Sequence, residues 1–183
     1  MSLNRPILLV GMPGVGKSTV GRLVADELHV PLSDTDAVVE RAAGSTIAEI
    51  FARAGEQEFR RRETAALSDA LRQCHVVSAG GGAPVQQENR DLLAQAWVVH
   101  LVGDAAEVWG RLHHSSGRPL LAGGRPAWER LWAERASVYA AVSDVTVPVT
   151  GRAPEQIAQD ILSAARTAGV AGVDEAEEIS DDS

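Results

Sequence analysis

A chain of 183 residues, 45% hydrophobic and 23% charged, has the size and balance of one globular domain with a single core. It holds no apolar run near the roughly 20 residues that span a bilayer, and its one cysteine, Cys74, excludes an internal disulfide and fits a reducing compartment. The formal charge of −8 falls to −2 once the last ten residues, with six acids and no base, are set aside, so the body offers no electrostatic footprint for nucleic acid or an anionic membrane.

From the N-terminus, residues 1–10 lack the basic region, long apolar stretch and cleavage site of a secretion signal, so a cytoplasmic location is expected. Residues 6–10 form a short apolar run ending in glycine, the pattern of a central strand buried on both faces. Gly11-Met12-Pro13-Gly14-Val15-Gly16-Lys17-Ser18 then fits G-x-x-x-x-G-K-[ST] in full. Val20, Leu23, Val24 and Leu28 have helical spacing and predict an amphipathic helix over 18–28. The context is therefore strand, glycine loop, helix. Glycines let the loop curl until several N–H groups point at one anion, and the helix adds its partial positive end. Lys17 can reach the β- and γ-phosphates, and the Ser18 hydroxyl is placed to ligate Mg²⁺. Nucleotide binding follows from this segment.

Residues 30–33 predict a second, short strand, and Asp34-Thr35-Asp36 stands just past it, where ligands collect in a parallel sheet. Two acids one residue apart can serve magnesium waters and a substrate hydroxyl, although the pattern alone favours a helix N-cap. Helices are predicted over 37–43, 47–54 and 56–73, separated at Gly44 and Gly55. Within the last, Arg60-Arg61-Arg62 follows Glu56 and Glu58 at i to i+4 spacing, which reads as a salt-bridged solvated face. A third strand over 75–79, with Cys74 a small buried side chain beside it, runs into Gly80-Gly81-Gly82. That triple allows close approach of the backbone to a ligand, or a plain tight turn. Residues 87–95 read as helix, 97–102 as a fourth strand and 105–112 as helix. Trp97, Trp109, Trp128 and Trp132 read as packing residues. The stretch 113–126, rich in Gly, Ser and Pro, is either a lid over the nucleotide or a passive surface loop. Residues 145–149 form a fifth strand, placed at an edge because Pro148 cannot donate to a ladder, and 154–167 a closing helix. Strands alternating with helices indicate a parallel α/β sheet. The expected division is a domain over 1–168, with a lid about 113–126, and an acidic, disordered tail over 169–183.

Taken together, these residues resemble the shikimate kinase family. The likeness is carried by Gly11 through Thr19, Asp34-Thr35-Asp36, Gly55-Glu56 with Phe59-Arg60 and Glu63, Gly80-Gly81-Gly82, Arg118-Pro119-Leu120-Leu121, and Arg135 four residues before Tyr139. It runs from about residue 5 to residue 166. The resemblance implies a three-layer α/β/α P-loop fold with a central five-stranded parallel sheet and a mobile lid. It also implies transfer of the γ-phosphate of Mg-ATP to the 3-hydroxyl of shikimate. Lys17, Asp36 and Arg118 would carry catalysis. Gly14, Val15, Gly16, Lys17, Ser18, Thr19, Arg111, Arg118 and Arg152 would hold the nucleotide. Asp36, Arg60, Gly81, Gly82 and Arg135 would hold shikimate, with Glu63 orienting Arg60, and Ser18 and Asp34 would hold Mg²⁺. The expected partners are ATP and shikimate, for a monomer with neither nucleic acid nor membrane. Ser78 occupies the end of the third strand where many P-loop enzymes place an acid, which is the habit of this family too and shifts weight onto Asp34. His113-His114, by contrast, has no counterpart in the family pattern. The rival readings are a sister small-molecule kinase of the gluconate kinase type and a regulator that binds ATP without catalysis.

Overall fold

The computed structural model describes residues 3–73, 75–112 and 123–172. Cys74, the stretch 113–122 with His113, His114, Arg118 and most of the expected lid, and the acidic residues from 173 onward lie outside them. Strands β1 (Ile7–Val10), β2 (Leu32–Asp34), β3 (Val76–Ser78), β4 (Trp97–Val102) and β5 (Val145–Pro148) form one sheet in the order β2-β3-β1-β4-β5. Every pairing in it is parallel. All four residues of β1 are completely buried. Because successive strand side chains point to opposite faces, the sheet must be covered on both sides.

Seven helices supply that cover among the described residues: α1 (Lys17–Leu28), α2 (Thr35–Ala43), α3 (Ile47–Leu71), α4 (Arg90–Leu93), α5 (Ala105–Leu112), α6 (Gly124–Val142) and α7 (Pro154–Thr167). Helices α1 and α7 lie against each other, and α2 lies against α3. The second pair encloses a small core of its own from Val39, Ile50, Phe59 and Ala66. The chain leaves β1, builds β2 two places away and returns to fill the gap with β3, while β4 and β5 extend the other side. Such a reversal opens a crevice at the carboxyl ends of the strands.

Several boundaries differ from the sequence pattern for local reasons. The second strand starts at Leu32 because His29 and Val30 still bond back to the end of α1. Gly55, at φ 80 and ψ 172, breaks α3 where two helices were expected. Residues 87–95 make only a single 3₁₀ turn and the four-residue α4; the Asn89 side chain donates to the Ala83 carbonyl at 2.9 Å and holds the chain in a tighter path. Pro148 does sit on an edge strand. The end of the expected lid is helix instead: α6 begins at Gly124, with Pro126 in its first turn, where its missing N–H has no partner to lose. The folded body also continues past residue 168. Val170 and Ala171 are buried, and Ala171 bridges to Leu3. The tryptophans pack as expected, Trp97 within β4 and Trp109 and Trp132 against the fully buried Trp128.

Candidate active site

The phosphate loop joins β1 to α1. Gly16 caps α1 at φ 102, a left-handed conformation that other residues rarely adopt, and so lets the helix open directly off the loop. Lys17, only 8% exposed, folds back over the loop. Its ammonium donates to the Gly11 carbonyl at 2.9 Å and the Met12 carbonyl at 3.1 Å. The Ser18 hydroxyl donates to Asp34 Oδ2 at 2.5 Å and lies 3.4 Å from Ser78 Oγ. An open cleft of about 320 Å³ lies over these groups, lined in part by Gly14, Gly16, Lys17, Ser18, Thr19, Asp34, Asp36, Gly81 and Arg111. Val15 does not line it. Its side chain is buried in the core, and its N–H donates to the Met12 carbonyl at 3.3 Å.

Each member of Asp34-Thr35-Asp36 faces a different partner. Asp34 is the N-cap of α2, accepting from the Ala37 N–H at 3.2 Å through Oδ1 while Oδ2 takes the Ser18 hydroxyl. The cap and the cleft are thus served by one carboxylate. Thr35 is completely buried and accepts the Gly80 N–H at 2.9 Å, tying the start of α2 to the glycine turn after β3. Asp36, one residue on, looks toward that turn from the cleft. A Cβ added to Gly80 would meet Asp36 Oδ1 at 2.5 Å and Glu63 Oε1 at 2.4 Å, so the two carboxyl groups flank the same glycine.

The arginine triplet divides between two roles. Arg61 and Arg62 pair with Glu58 at 2.8 and 2.7 Å on an exposed face, contacts that contribute little to stability. Arg60 turns inward and binds Glu63 Oε2 at 2.8 Å and Glu56 Oε1 at 3.0 Å. A Cβ on Gly82 would sit 1.9 Å from Arg60 Nη1, so only glycine leaves room for the guanidinium. Arg135, from α6, is 7% exposed and donates to the Gly81 carbonyl at 2.9 Å. The glycine turn therefore has Arg60 and Arg135 against it and also abuts the phosphate loop, since a Cβ on Gly81 would meet Pro13 Cδ at 2.8 Å. Gly81 and Pro13 line the cleft, whereas Arg60, Gly82 and Arg135 adjoin the turn without lining it.

Electrostatics knit the same groups together. Burial pushes the Glu63 carboxyl up from its ordinary value; Arg60 pulls it down, Asp36 raises it again and Arg135 lowers it, with burial winning. Arg60, half-buried against that carboxylate, is held above the usual arginine range, because attraction to Glu63 and Glu56 outweighs its own desolvation. Burial lowers His100 on β4, and the Lys17 charge lowers it further, so this imidazole stays neutral beside the loop.

Arg111 lines the mouth of the cleft with its guanidinium on Glu107. Arg152 does not line it; it binds the Pro148 carbonyl at 3.0 Å and Asp160 Oδ2 at 2.6 Å. Thr35 and Tyr139, which the sequence offered only as part of the family likeness and with no role of their own, join the site through Gly80 and Gly81. Arg135 and Tyr139, four apart beyond Trp128, Leu131 and Trp132, carry the helical spacing that would have revealed α6.

The family model for shikimate kinase matches residues 13–166. The chain belongs to the shikimate kinase family. A shikimate kinase of Rhodococcus jostii is 40% identical over 159 residues, spanning 85% of this chain and 95% of the relative. Among solved structures, shikimate kinase from Acinetobacter baumannii in complex with shikimate superposes with a TM-score of 0.86 at 33% identity, covering 91% of this chain and 96% of the other. A gluconokinase from Sinorhizobium meliloti reaches a TM-score of 0.58 at 20% identity over 92% and 96% of the two chains, a likeness of fold alone. Among the described residues, no helix is long and apolar enough to cross a membrane.

Proposed function

We propose that the chain transfers the γ-phosphate of ATP to the 3-hydroxyl of shikimate, giving shikimate 3-phosphate and ADP. One observation supports this: Arg60 and Arg135 lie directly against the glycine turn whose Gly81 lines the cleft together with Lys17, Ser18 and Asp36. An anionic acceptor explains that pairing, because a planar guanidinium fork matches a carboxylate in both position and charge. A gluconate acceptor is also anionic, but the closer likeness to shikimate kinases favours shikimate.

In this reading Asp36 accepts the hydrogen bond of the reacting hydroxyl and takes its proton as the oxygen attacks the γ-phosphorus. The bond from that phosphorus to the bridging oxygen breaks, and ADP leaves with the electron pair. Lys17 leaves its loop carbonyls to neutralise the β- and γ-phosphates, and the loop N–H groups hold the rest of the chain of phosphates. Ser18 and Asp34 are two hard oxygen donors in hydrogen-bonding contact at the mouth of the phosphate loop, which suits Mg²⁺, an ion usually held by one or two protein oxygens beside phosphate and water. Bound there, Mg²⁺ would offset phosphate charge. Arg111 at the cleft mouth would face the nucleotide. Arg118 would add positive charge to the transferring group, and Arg152 would have to leave Asp160 to reach the base. Acting alone, as a monomer, the chain needs no second subunit for any of these groups.

The deciding experiment measures ADP release with shikimate, with gluconate and with no acceptor. Turnover with shikimate alone is expected; strong turnover with gluconate, or ATP binding without turnover on either, would reject the proposal. A second expectation concerns Gly82→Ala. The added Cβ collides with the tip of a flexible arginine and not with backbone, so the fold should survive while Arg60 is pushed off its position. Losing one charge-assisted contact of about 1.5–3 kcal/mol should raise the shikimate KM roughly tenfold or more and leave the ATP KM within about twofold.

A further inference from the structure

We propose that Tyr139 is a positioning residue for the acceptor side of the cleft, fixing the glycine turn and the Arg135 fork against the phosphate loop. The inference rests on the reading of Arg135 as a carboxylate grip. Tyr139 stands one helical turn after Arg135 on α6 and is completely buried. Its hydroxyl donates to the Gly81 carbonyl at 2.7 Å, the oxygen that also accepts from Arg135 Nη1 at 2.9 Å. A carbonyl oxygen has two lone pairs, and both are taken. The same hydroxyl lies 3.6 Å from Met12 Sδ, and the Met12 carbonyl is one of the two that receive the Lys17 ammonium. Tyr139 thus stands where three parts meet: the arginine from α6, the glycine turn after β3 and the phosphate loop after β1.

The arrangement has a mechanical consequence. With Nη1 bound to a fixed carbonyl, the plane of the Arg135 guanidinium is set, and its remaining N–H groups point in a defined direction. Without the phenol, the Gly81 carbonyl keeps only the Arg135 guanidinium as a partner, so its peptide plane can tilt and the fork turns with it. The phenol is suited to hold it. Burial pushes its ionisation up by more than Arg135 pulls it down, so it stays a donor. Its ring is braced by His100, tilted by 44° with centroids 5.4 Å apart, so deleting the hydroxyl alone leaves the packing in place.

The test is Tyr139→Phe, measured in the full-length protein in two ways. Backbone deuterium exchange over residues 80–83, with no substrate present, should rise several-fold, and the shikimate KM should rise about tenfold with the ATP KM within about twofold and the melting temperature little changed. Wild-type exchange and an unchanged shikimate KM would overturn the proposal. So would a rise in both KM values together with a large fall in melting temperature, which would mark the hydroxyl as merely structural. Because the exchange measurement needs no acceptor, it judges Tyr139 even if the unmodified protein fails to turn over shikimate, and that failure would count against the proposed function alone.

Discussion

Asp36→Asn should reduce kcat by about 10²- to 10⁴-fold, the usual contribution of a positioned proton acceptor, and leave ATP affinity within about twofold. The substitution keeps the shape of the side chain and removes its charge and its capacity to take a proton. Asp36 lines the cleft from the first turn of α2 without belonging to the phosphate loop, whose grip depends on Lys17, Ser18 and the loop backbone. Nucleotide affinity should therefore be spared. The variant also removes one of the influences that raise Glu63, so ionisation of that carboxyl should shift downward and Arg60 should be held more firmly. Measuring kcat by ADP release and ATP affinity by calorimetry separates the two effects. A near-normal kcat would take Asp36 out of the chemistry. Loss of ATP binding in step with kcat would instead make it part of the nucleotide seat.

The phosphate loop was legible in the sequence because all its information is local: four fixed positions within eight residues, entered from an apolar strand and left by an amphipathic helix. The far wall of the cleft was not legible by that route. Thr35 meets Gly80 across 45 residues of chain and Arg135 meets Gly81 across 54, and neither spacing leaves a periodic mark. Family likeness supplied what pattern could not. Two bland interpretations were also partly right. Asp34 does cap a helix, with the oxygen that does not face Ser18. Arg61 and Arg62 do form a solvated, paired face, while Arg60 stands at the phase of α3 that turns toward Glu63. Helix α6 escaped notice because it opens on Gly-Arg-Pro at the end of a loop-like stretch, and because its buried face mixes Trp128 and Tyr139 with a charged residue, Arg135. A buried arginine interrupts the apolar stripe by which an amphipathic helix is recognised.

For Arg135→Ala we expect the shikimate KM to rise by at least about thirtyfold while the ATP KM stays within about twofold. Arg135 is largely shielded from water, so a carboxylate brought to it gives up hydration and depends on the guanidinium to replace it. Truncating one partner of such a pair typically costs about 2–5 kcal/mol, much of it from leaving the other charge unpaired, and 1.4 kcal/mol corresponds to a factor of ten. Arg60 remains against the same glycine turn, held by Glu63 and Glu56, so binding should weaken without vanishing. Arg135→Lys is the discriminating companion. It restores the charge but not the planar fork, and lysine cannot hold the Gly81 carbonyl and a carboxylate in one fixed plane. If charge alone mattered, lysine would recover most of the affinity. If the fork matters, as the shared grip on Gly81 implies, lysine should recover only a small part of it. Equal rises in both KM values would contradict the assignment, because the phosphate loop makes its hydrogen bonds without Arg135 and only a general disturbance of the cleft would weaken both substrates alike.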